Sequence, residues 1–285
     1  MLEQCSVLGW SCRVEKNNGF FLNRNIVVGD IKKARFIFSA HYDTCAWMPV
    51  PNFITPKNIP LYLLYQFILV GLVGAVSYGI TSFFIPFVNE SFHHLFKYIF
   101  ILLMAQIVFG FPNKHTANDN TSGVATLLCL MQSIPVEERE KVAFVFFDNE
   151  EIGLIGSSKF KKNHKKEMED KLLINFDCVS DGGHFIFTCK KRAFNSDEYP
   201  LFKRIIEEEA PVFNKMPEFA SVWQAFNPSD QIIFPKSIGV IALKKSPVLG
   251  LYLDRIHTSF DTRFDRNNIS FLCSSFTKFI TETGT

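Results

Sequence analysis

Two histidines and a scatter of acidic residues stand where catalysis could use them. His41 and Asp43 follow the apolar run 36–40; Asp148, Glu150 and Glu151 follow Val142–Phe147; and Asp177 follows Leu172–Phe176. His257 comes after a strand-like stretch in Tyr252-Leu253-Asp254-Arg255-Ile256-His257-Thr258, and Asp119 stands at the start of a helical pattern. In sheets of alternating strands and helices, sites form at the carboxyl ends of the strands. A single such residue is more often a cap or a solvated loop carboxylate. Five such coincidences at one edge of one sheet point to a site. Imidazole nitrogens and carboxylate oxygens suit Zn²⁺ with a position left open for water. A close pair of cations needs a carboxylate between them, because they repel. A further, non-coordinating carboxylate must take the proton from the attacking water. Adjacent Glu150 and Glu151 meet that need, one aimed at metal and the other at water.

The elements that must position these residues read as α/β. Residues 12–15 and 20–22 look like strands around the turn Lys16-Asn17-Asn18-Gly19, and 25–28 and 35–40 like two more around Gly29-Asp30. Residues 121–133 carry Val124, Leu127, Leu128 and Met131 at helical spacing. Val142–Phe147, Leu172–Phe176, His184–Cys189 and 239–243 read as buried strands, with helices expected at 152–162 and 201–209. This alternation predicts a mixed, mostly parallel central sheet covered by helices on both faces.

One stretch does not fit that pattern. From Asn58 to Asn89 there is no charged residue, and 60–88 is long and apolar enough to span a bilayer. Glu90, His93, His94 and Lys97 interrupt it, and 98–111 is apolar again. With Phe92 and Leu95 added and Lys97 snorkelling, the second run also reaches spanning length. The expected organisation is a single catalytic domain over 1–50 and 112–285, with a helical, transmembrane hairpin inserted at 51–111. Lipid contact is expected over 58–111. An alternative is a greasy pair of core or dimer-forming helices. Lys57 and Lys114 flank the hairpin on the catalytic side, with Glu90 at the far turn. Together with the absence of a signal sequence, this favours a membrane-associated protein whose catalytic domain faces the cytoplasm.

Composition narrows the classes further. The net charge of +2 over 285 residues, with no Lys/Arg block, argues against nucleic acid as a partner. Hydrophobic residues form 47% of the chain, enough for a sizeable core. The seven cysteines are odd in number, scattered and without a CxxC pair, as in a reducing compartment. Phenylalanine, at 32 residues, is abundant, and much of the apolar excess is local to the hairpin.

The stretches Ser39-Ala40-His41-Tyr42-Asp43-Thr44, Ala117-Asn118-Asp119-Asn120-Thr121-Ser122-Gly123 and Asp148-Asn149-Glu150-Glu151-Ile152-Gly153-Leu154-Ile155-Gly156-Ser157 occur in that order. Asn175-Phe176-Asp177, Ser229-Asp230 and His257-Thr258-Ser259-Phe260-Asp261-Thr262 follow. This ordered set resembles the zinc exopeptidases of the aminopeptidase S type, to which glutaminyl cyclases are related. The resemblance covers most of residues 25–45 and 113–262. It implies two Zn²⁺ per chain, with Asp119 bridging, His41 and Asp177 completing one site, and Glu151 and His257 the other. It implies Glu150 as general base to a zinc-bridging hydroxide and Asp43 as the residue that orients the histidine ligand. Asp230 and Asp261 match less well defined supporting positions, where a loop or cap role is as natural as a catalytic one.

The implied activity is a metallo-aminopeptidase that hydrolyses the first peptide bond of a peptide with a free N-terminus, at a membrane surface. One alternative is a single-zinc glutaminyl-peptide cyclotransferase, against which stand the complete ligand set and Ile256 before His257. Another is a non-catalytic membrane binding protein, which would be expected to have lost ligands. The chain departs from the family in the length of the connection between His41 and Asp119, which holds both apolar runs, and in a short N-terminal segment where a leading helix is expected to be missing. For a substrate side-chain pocket the expected sources are residues 211–226 and the loops around 246–251. Phe213, Phe219, Trp223 and Phe226 are candidates, although aromatics so spaced more often belong to a core.

Overall fold

The structure is a computed structural model and describes residues 2–17, 19, 21–88 and 91–283. A nine-stranded sheet runs through it in the order β1-β2-β4-β3-β5-β8-β6-β7, with β9 on β8. The strands are β1 (Cys12–Asn17), β2 (Asn23–Val28), β3 (Phe36–His41), β4 (Val142–Phe147), β5 (Leu172–Phe176), β6 (His184–Cys189), β7 (Met216–Ser221), β8 (Ser237–Ser246) and β9 (Gly250–Tyr252). The central four, β4-β3-β5-β8, are parallel neighbours, and antiparallel pairings occur towards both edges.

Because successive strand side chains point to opposite faces, each buried strand feeds two cores. Phe36 and Phe38 of β3, Phe144 and Phe146 of β4, and Ile174 and Phe176 of β5 face one side. There they meet Leu127 and Leu130 of α4 (Ser122–Ser133), Phe202 and Ile206 of α7 (Glu198–Val212), and Phe276 and Phe279 of α8 (Arg266–Glu282). Ile37, Ala143, Val145, Phe147 and Leu173 face the other side, against Phe160 of α5 (Ile155–Asn163) and Phe234. Helices thus cover both faces, as the alternation of elements implied. Much of the phenylalanine sits here: Phe38 lies 5.7, 6.1 and 5.6 Å, ring to ring, from Phe144, Phe176 and Phe276.

At the end of the sheet remote from the acidic residues, Glu198 accepts hydrogen bonds from Arg35 (3.0 Å) and Lys236 (3.0 Å), stapling α7 to the starts of β3 and β8. Burial opposes its charge, but hydrogen bonds from Lys236, its own backbone amide, Ser196 and Arg35 hold Glu198 down at about 2.

The chain between β3 and α4 leaves this body as two helices, α2 (Ile59–Phe84) and α3 (Phe92–Phe109). Asn58 caps α2 by accepting from Leu61 N, and Ser91 caps α3 by accepting from His94 N. Ser77 and Thr81 return their hydroxyls to the carbonyls of Val73 and Ser77, so their polarity is satisfied within the helix. At about 1.5 Å per residue, α2 is about 39 Å long and α3 about 27 Å, comparable to a hydrocarbon core of about 30 Å. A core helix of a water-soluble protein would be mostly buried. The most apolar windows of these two segments are 6% and 0% buried, so neither belongs to the protein's own core.

Several boundaries differ from the sequence reading. β1 runs on to Asn17, which pairs with Asn23, so the tight turn and the strand proposed at 20–22 give way to a longer connection. Asn18 and Phe20 of that connection, and Glu90 at the far turn of the hairpin, lie outside the described residues. α5 starts at Ile155, after Leu154 turns the chain with a φ of 57°. Ahead of β1 stands a six-residue helix, α1 (Leu2–Val7), where no leading helix was expected.

Candidate metal centre

Register brings the ligands together. β3 and β5 pair with Ser39 opposite Asn175, so two residues further on, at their carboxyl ends, His41 and Asp177 arrive side by side. β3 also pairs with β4 so that His41 faces Phe147, and the chain leaving β4 carries Asp148–Glu151 along the same edge. Beneath this edge Ser39 donates to Asn175 (2.8 Å), whose amide donates to Ser229 (3.0 Å) and Gln231 (3.1 Å), a buried network that fixes the strand ends.

Asp119 lies between two clusters. Its Oδ1 is 3.2 Å from His41 Nε2, which is 3.5 Å from Asp177 Oδ1. Its Oδ2 is 3.1 Å from His257 Nε2, which is 3.4 Å from Glu151 Oε2. Glu150 offers an oxygen within 4.8 Å of donor atoms on His41 and Glu151. Zinc bonds of about 2.0–2.1 Å at the tetrahedral angle set neighbouring donor atoms about 3.3 Å apart. The four separations above bracket that value. Glu151 Oε1 and Asp177 Oδ1 are buried with no hydrogen-bond partner among the described residues. Unpaired carboxylate oxygens are costly to bury, and a cation would satisfy them. The donor set therefore fits metal ions on either side of Asp119.

The backbone around these residues is tightly held. Asp261 accepts from the amides of Asn118 (2.8 Å) and Asp119 (2.9 Å). Asn118 Oδ1 accepts from the amides of Ser180 (2.7 Å) and Asp181 (3.1 Å), and Asn120 donates to Phe176 O (2.9 Å). Asn118 and Asn120 thus grip the chain on both sides of Asp177, and Asp119 is held between the two donor clusters. Asp119 and Asn120 are joined by a cis peptide bond within the irregular segment Ala117–Thr121, not in α4 itself. The approach is so close that a Cβ on Gly123 would come within 2.4 Å of Phe176 O.

Asp43 accepts from the amides of Glu150 and Glu151, both at 3.1 Å, and so clamps the loop that presents them. Its contact with His41 Nδ1 is longer, at 3.5 Å, and is not a hydrogen bond in this structure. Left-handed backbone recurs at these places: Asn149 before Glu150, Cys178 after Asp177, and His257 itself have φ of 58°, 56° and 64°. Such residues cost about 1–3 kcal/mol each and gather at sites the surrounding fold over-determines.

The metal-free electrostatics are strained. Burial pushes Glu150 well up, with Glu151, Asp230 and Asp177 adding to it and His41 opposing. Burial and then Asp119 push Glu151 well up. Burial alone would lower His41 and His257, but the surrounding carboxylates outweigh it and raise both. Asp119, between two imidazoles, is lowered despite its burial. Asp230, fully buried under the cluster, is pushed up to about 7, chiefly by burial, and burial takes Asp261 to about 6.

One neighbour was not legible in the sequence. Cys45, on the loop after β3, brings its sulfur within 4.8 Å of donor atoms on Asp119, Glu151 and His257. The only signal was its place four residues after His41. Of the aromatic residues suggested for a substrate pocket, Phe213 and Phe219 pack on the core and Trp223 is 90% exposed, whereas Phe226 lies 5.9 Å, ring to ring, from Tyr62 at the start of α2.

Comparison with known proteins bears on the family and the fold. The model of peptidase family M28 matches residues 105–270. Among solved structures, a glutaminyl cyclase from Porphyromonas gingivalis superposes with a TM-score of 0.60 at 16% identity, over 99% of this chain and 87% of that one. The LapA aminopeptidase of Legionella pneumophila gives 0.54 at 13% identity, over 98% of this chain and 60% of that one. BSAP, a zinc aminopeptidase from Bacillus subtilis, gives 0.52 at 16% identity, over 91% of this chain and 50% of that one. At these identities the likeness is one of fold, and the chain spans only part of the length of either aminopeptidase. No curated protein matches the sequence at a significant level.

Proposed function

The chain belongs to peptidase family M28, and we propose that it is a zinc aminopeptidase working at a membrane surface. The observation that carries this reading is the Asp119 carboxylate, with one oxygen on the His41–Asp177 side and the other on the Glu151–His257 side. In this reading His41, Asp119 and Asp177 hold one zinc and Glu151, Asp119 and His257 the other. Two such ions would supply the positive charge that acidifies water and polarises the scissile carbonyl.

The protein's own groups do the rest. Glu150, half-buried beside His41 and Glu151, takes a proton from the attacking water and delivers it to the leaving amine. Asp43 keeps Glu150 and Glu151 in register through their amides. Asp261 does the same for Asp119. Residues 1–50 and 112–285 form the catalytic domain, and 51–111 the inserted hairpin, which enters the bilayer with the catalytic face on the cytoplasmic side.

The test is turnover of aminoacyl-anilides by zinc-loaded protein in mild detergent. Hydrolysis should require a free α-amine and be lost in Glu150→Gln with zinc content unchanged. Near-normal turnover in that variant refutes the assignment of the base. One observation supports a second reading: the chain covers 87% of the P. gingivalis glutaminyl cyclase but only about half of BSAP. That reading requires one zinc and cyclisation of N-terminal glutamine without anilide hydrolysis.

A further inference from the structure

The roots of the hairpin are tied to the metal centre. Met48 N donates to His257 O (2.7 Å), Trp47 N to Phe111 O (2.8 Å), and Asn113 N to Cys45 O (2.9 Å). Ile54 and Leu253 exchange two backbone hydrogen bonds, at 3.0 and 2.9 Å. Between these roots and the ligands lies a cavity of about 270 Å³. Glu151 and His257 border it on one side. On the other, α2 presents Tyr62, Gln66 and Leu69, which spacings of four and three place on one helix face, and α3 presents Ile107 and Val108. Met48 and Ile54 add further apolar wall, and Gln66 brings an amide.

We propose that this cavity is the pocket for the substrate's first side chain, and that the hairpin makes the enzyme select peptides beginning with a large aliphatic or aromatic residue. The inference rests on the aminopeptidase reading above and adds to it a specificity determinant on the inserted hairpin. A substrate amine held beside Glu151 and His257 leaves its first side chain to enter the adjoining space. At about 30 Å³ per water, 270 Å³ equals about nine waters. An alanine methyl would leave most of that volume wet. A leucine or phenylalanine side chain would displace the water from against Leu69, Ile107 and Met48, where apolar contact is favourable. The volume lies below the range typical of whole drug-sized ligands, about 300–1,000 Å³, as expected for a subsite taking one side chain. The hairpin then serves twice, since its first turns on the protein side are a wall of the active site as well as the stem of an anchor.

The experiment uses the full chain, zinc-loaded, in detergent micelles, with Gly-, Ala-, Leu- and Phe-anilides. The ratio of kcat/KM for Leu or Phe over Ala should be at least about tenfold, since each methylene in an apolar pocket is worth about 10-fold or more. Leu69→Trp and, separately, Ile107→Trp fill the cavity and should reduce that ratio at least about tenfold, while zinc content stays at the wild-type level. Should both tryptophan variants fail to fold, Leu69→Ala enlarges the cavity and should move preference from Leu towards Trp-anilide. Preference for Gly or Ala, or a ratio unmoved in zinc-bound variants, overturns the pocket assignment and leaves the aminopeptidase standing. Absence of hydrolysis of every anilide by wild-type protein with full zinc defeats the aminopeptidase reading, and the pocket with it.

Discussion

Chelating the metals should destabilise the protein far more at about pH 7.5 than at about pH 5.5, and the structure gives the sign. In the metal-free state Glu150 and Glu151 are raised well above an ordinary glutamate, and His41 and His257 above an ordinary histidine. For a group whose folded value exceeds its unfolded value, the folded state binds the proton more tightly. Its contribution is present below the unfolded pKa and lost as pH rises through the folded one. The glutamates therefore begin to lose stability above about pH 4.3, and the histidines above about pH 6.5. Asp119 runs the other way, but its stabilising share disappears only below the ordinary aspartate range, outside this window. The apo protein should accordingly weaken steadily from about pH 5.5 to about pH 7.5.

Zinc reverses this by replacing the protons. At a free concentration of about 1,000 times Kd, one site contributes about 4.1 kcal/mol. For a body of about 150–250 residues each kcal/mol moves Tm by about 2–4 °C, so one filled site is worth about 8–16 °C. Thermal unfolding followed by circular dichroism, with chelator or with zinc at the two pH values, measures both effects. An apo protein more stable at about pH 7.5 than at about pH 5.5, or a zinc shift below about 2 °C at the higher pH, would overturn this linkage between protons and metal.

Other outcomes follow from the same geometry. Glu150→Gln should lower kcat by about 10²–10⁴-fold with little change in zinc affinity, read by steady-state kinetics beside metal analysis. Asp261→Ala frees the Asn118 and Asp119 amides from their shared acceptor and should weaken zinc binding by about 10–100-fold, measured by competition with a chromophoric chelator. Phe38→Ala empties a fully buried ring site and should cost about 3–5 kcal/mol in chemical denaturation. Glu198→Gln removes the charged acceptor shared by Arg35 and Lys236 and should cost about 1.5–3 kcal/mol at neutral pH. Because Glu198 is held at about 2, the difference from wild type should shrink as pH falls from about 4.5 towards that value. In sealed right-side-out vesicles the chain should resist carbonate extraction, and external protease should leave a catalytic domain on the cytoplasmic side uncut.

The parallel core was legible because its strands are buried on both faces and so appear as unbroken apolar runs. The buried strands Val142–Phe147, Leu172–Phe176 and His184–Cys189 coincide with their runs to the residue. The hairpin was legible for a related reason, since a stretch without charge shows its own ends. Edge elements were not: β7 contains Pro217 and Glu218 and is only partly buried, so nothing in its composition separates it from a loop. The amphipathic helix α8 went unread, although its Phe276 and Phe279 pack against the sheet.

Within the site, residue type and position after a strand picked out the residues that the fold gathers around Asp119. What holds them there was hidden, because Asp43 reaches the amides of Glu150 and Glu151 across more than a hundred residues of chain. Such contacts exist only once β3 and β4 are paired. Cys45 and the cavity wall on α2 and α3 were hidden for the same reason: both are made by the hairpin roots folding back beside His257.

The decisive measurement is the zinc content of the purified chain, read by mass spectrometry of the metal alongside hydrolysis of Leu-anilide. Two zincs per chain with turnover are expected, and tight binding of both metals should be lost in Asp119→Ala, since both sites share that carboxylate. A single zinc with turnover undisturbed in Asp119→Ala, or a folded chain that binds none, would contradict the shared-carboxylate centre.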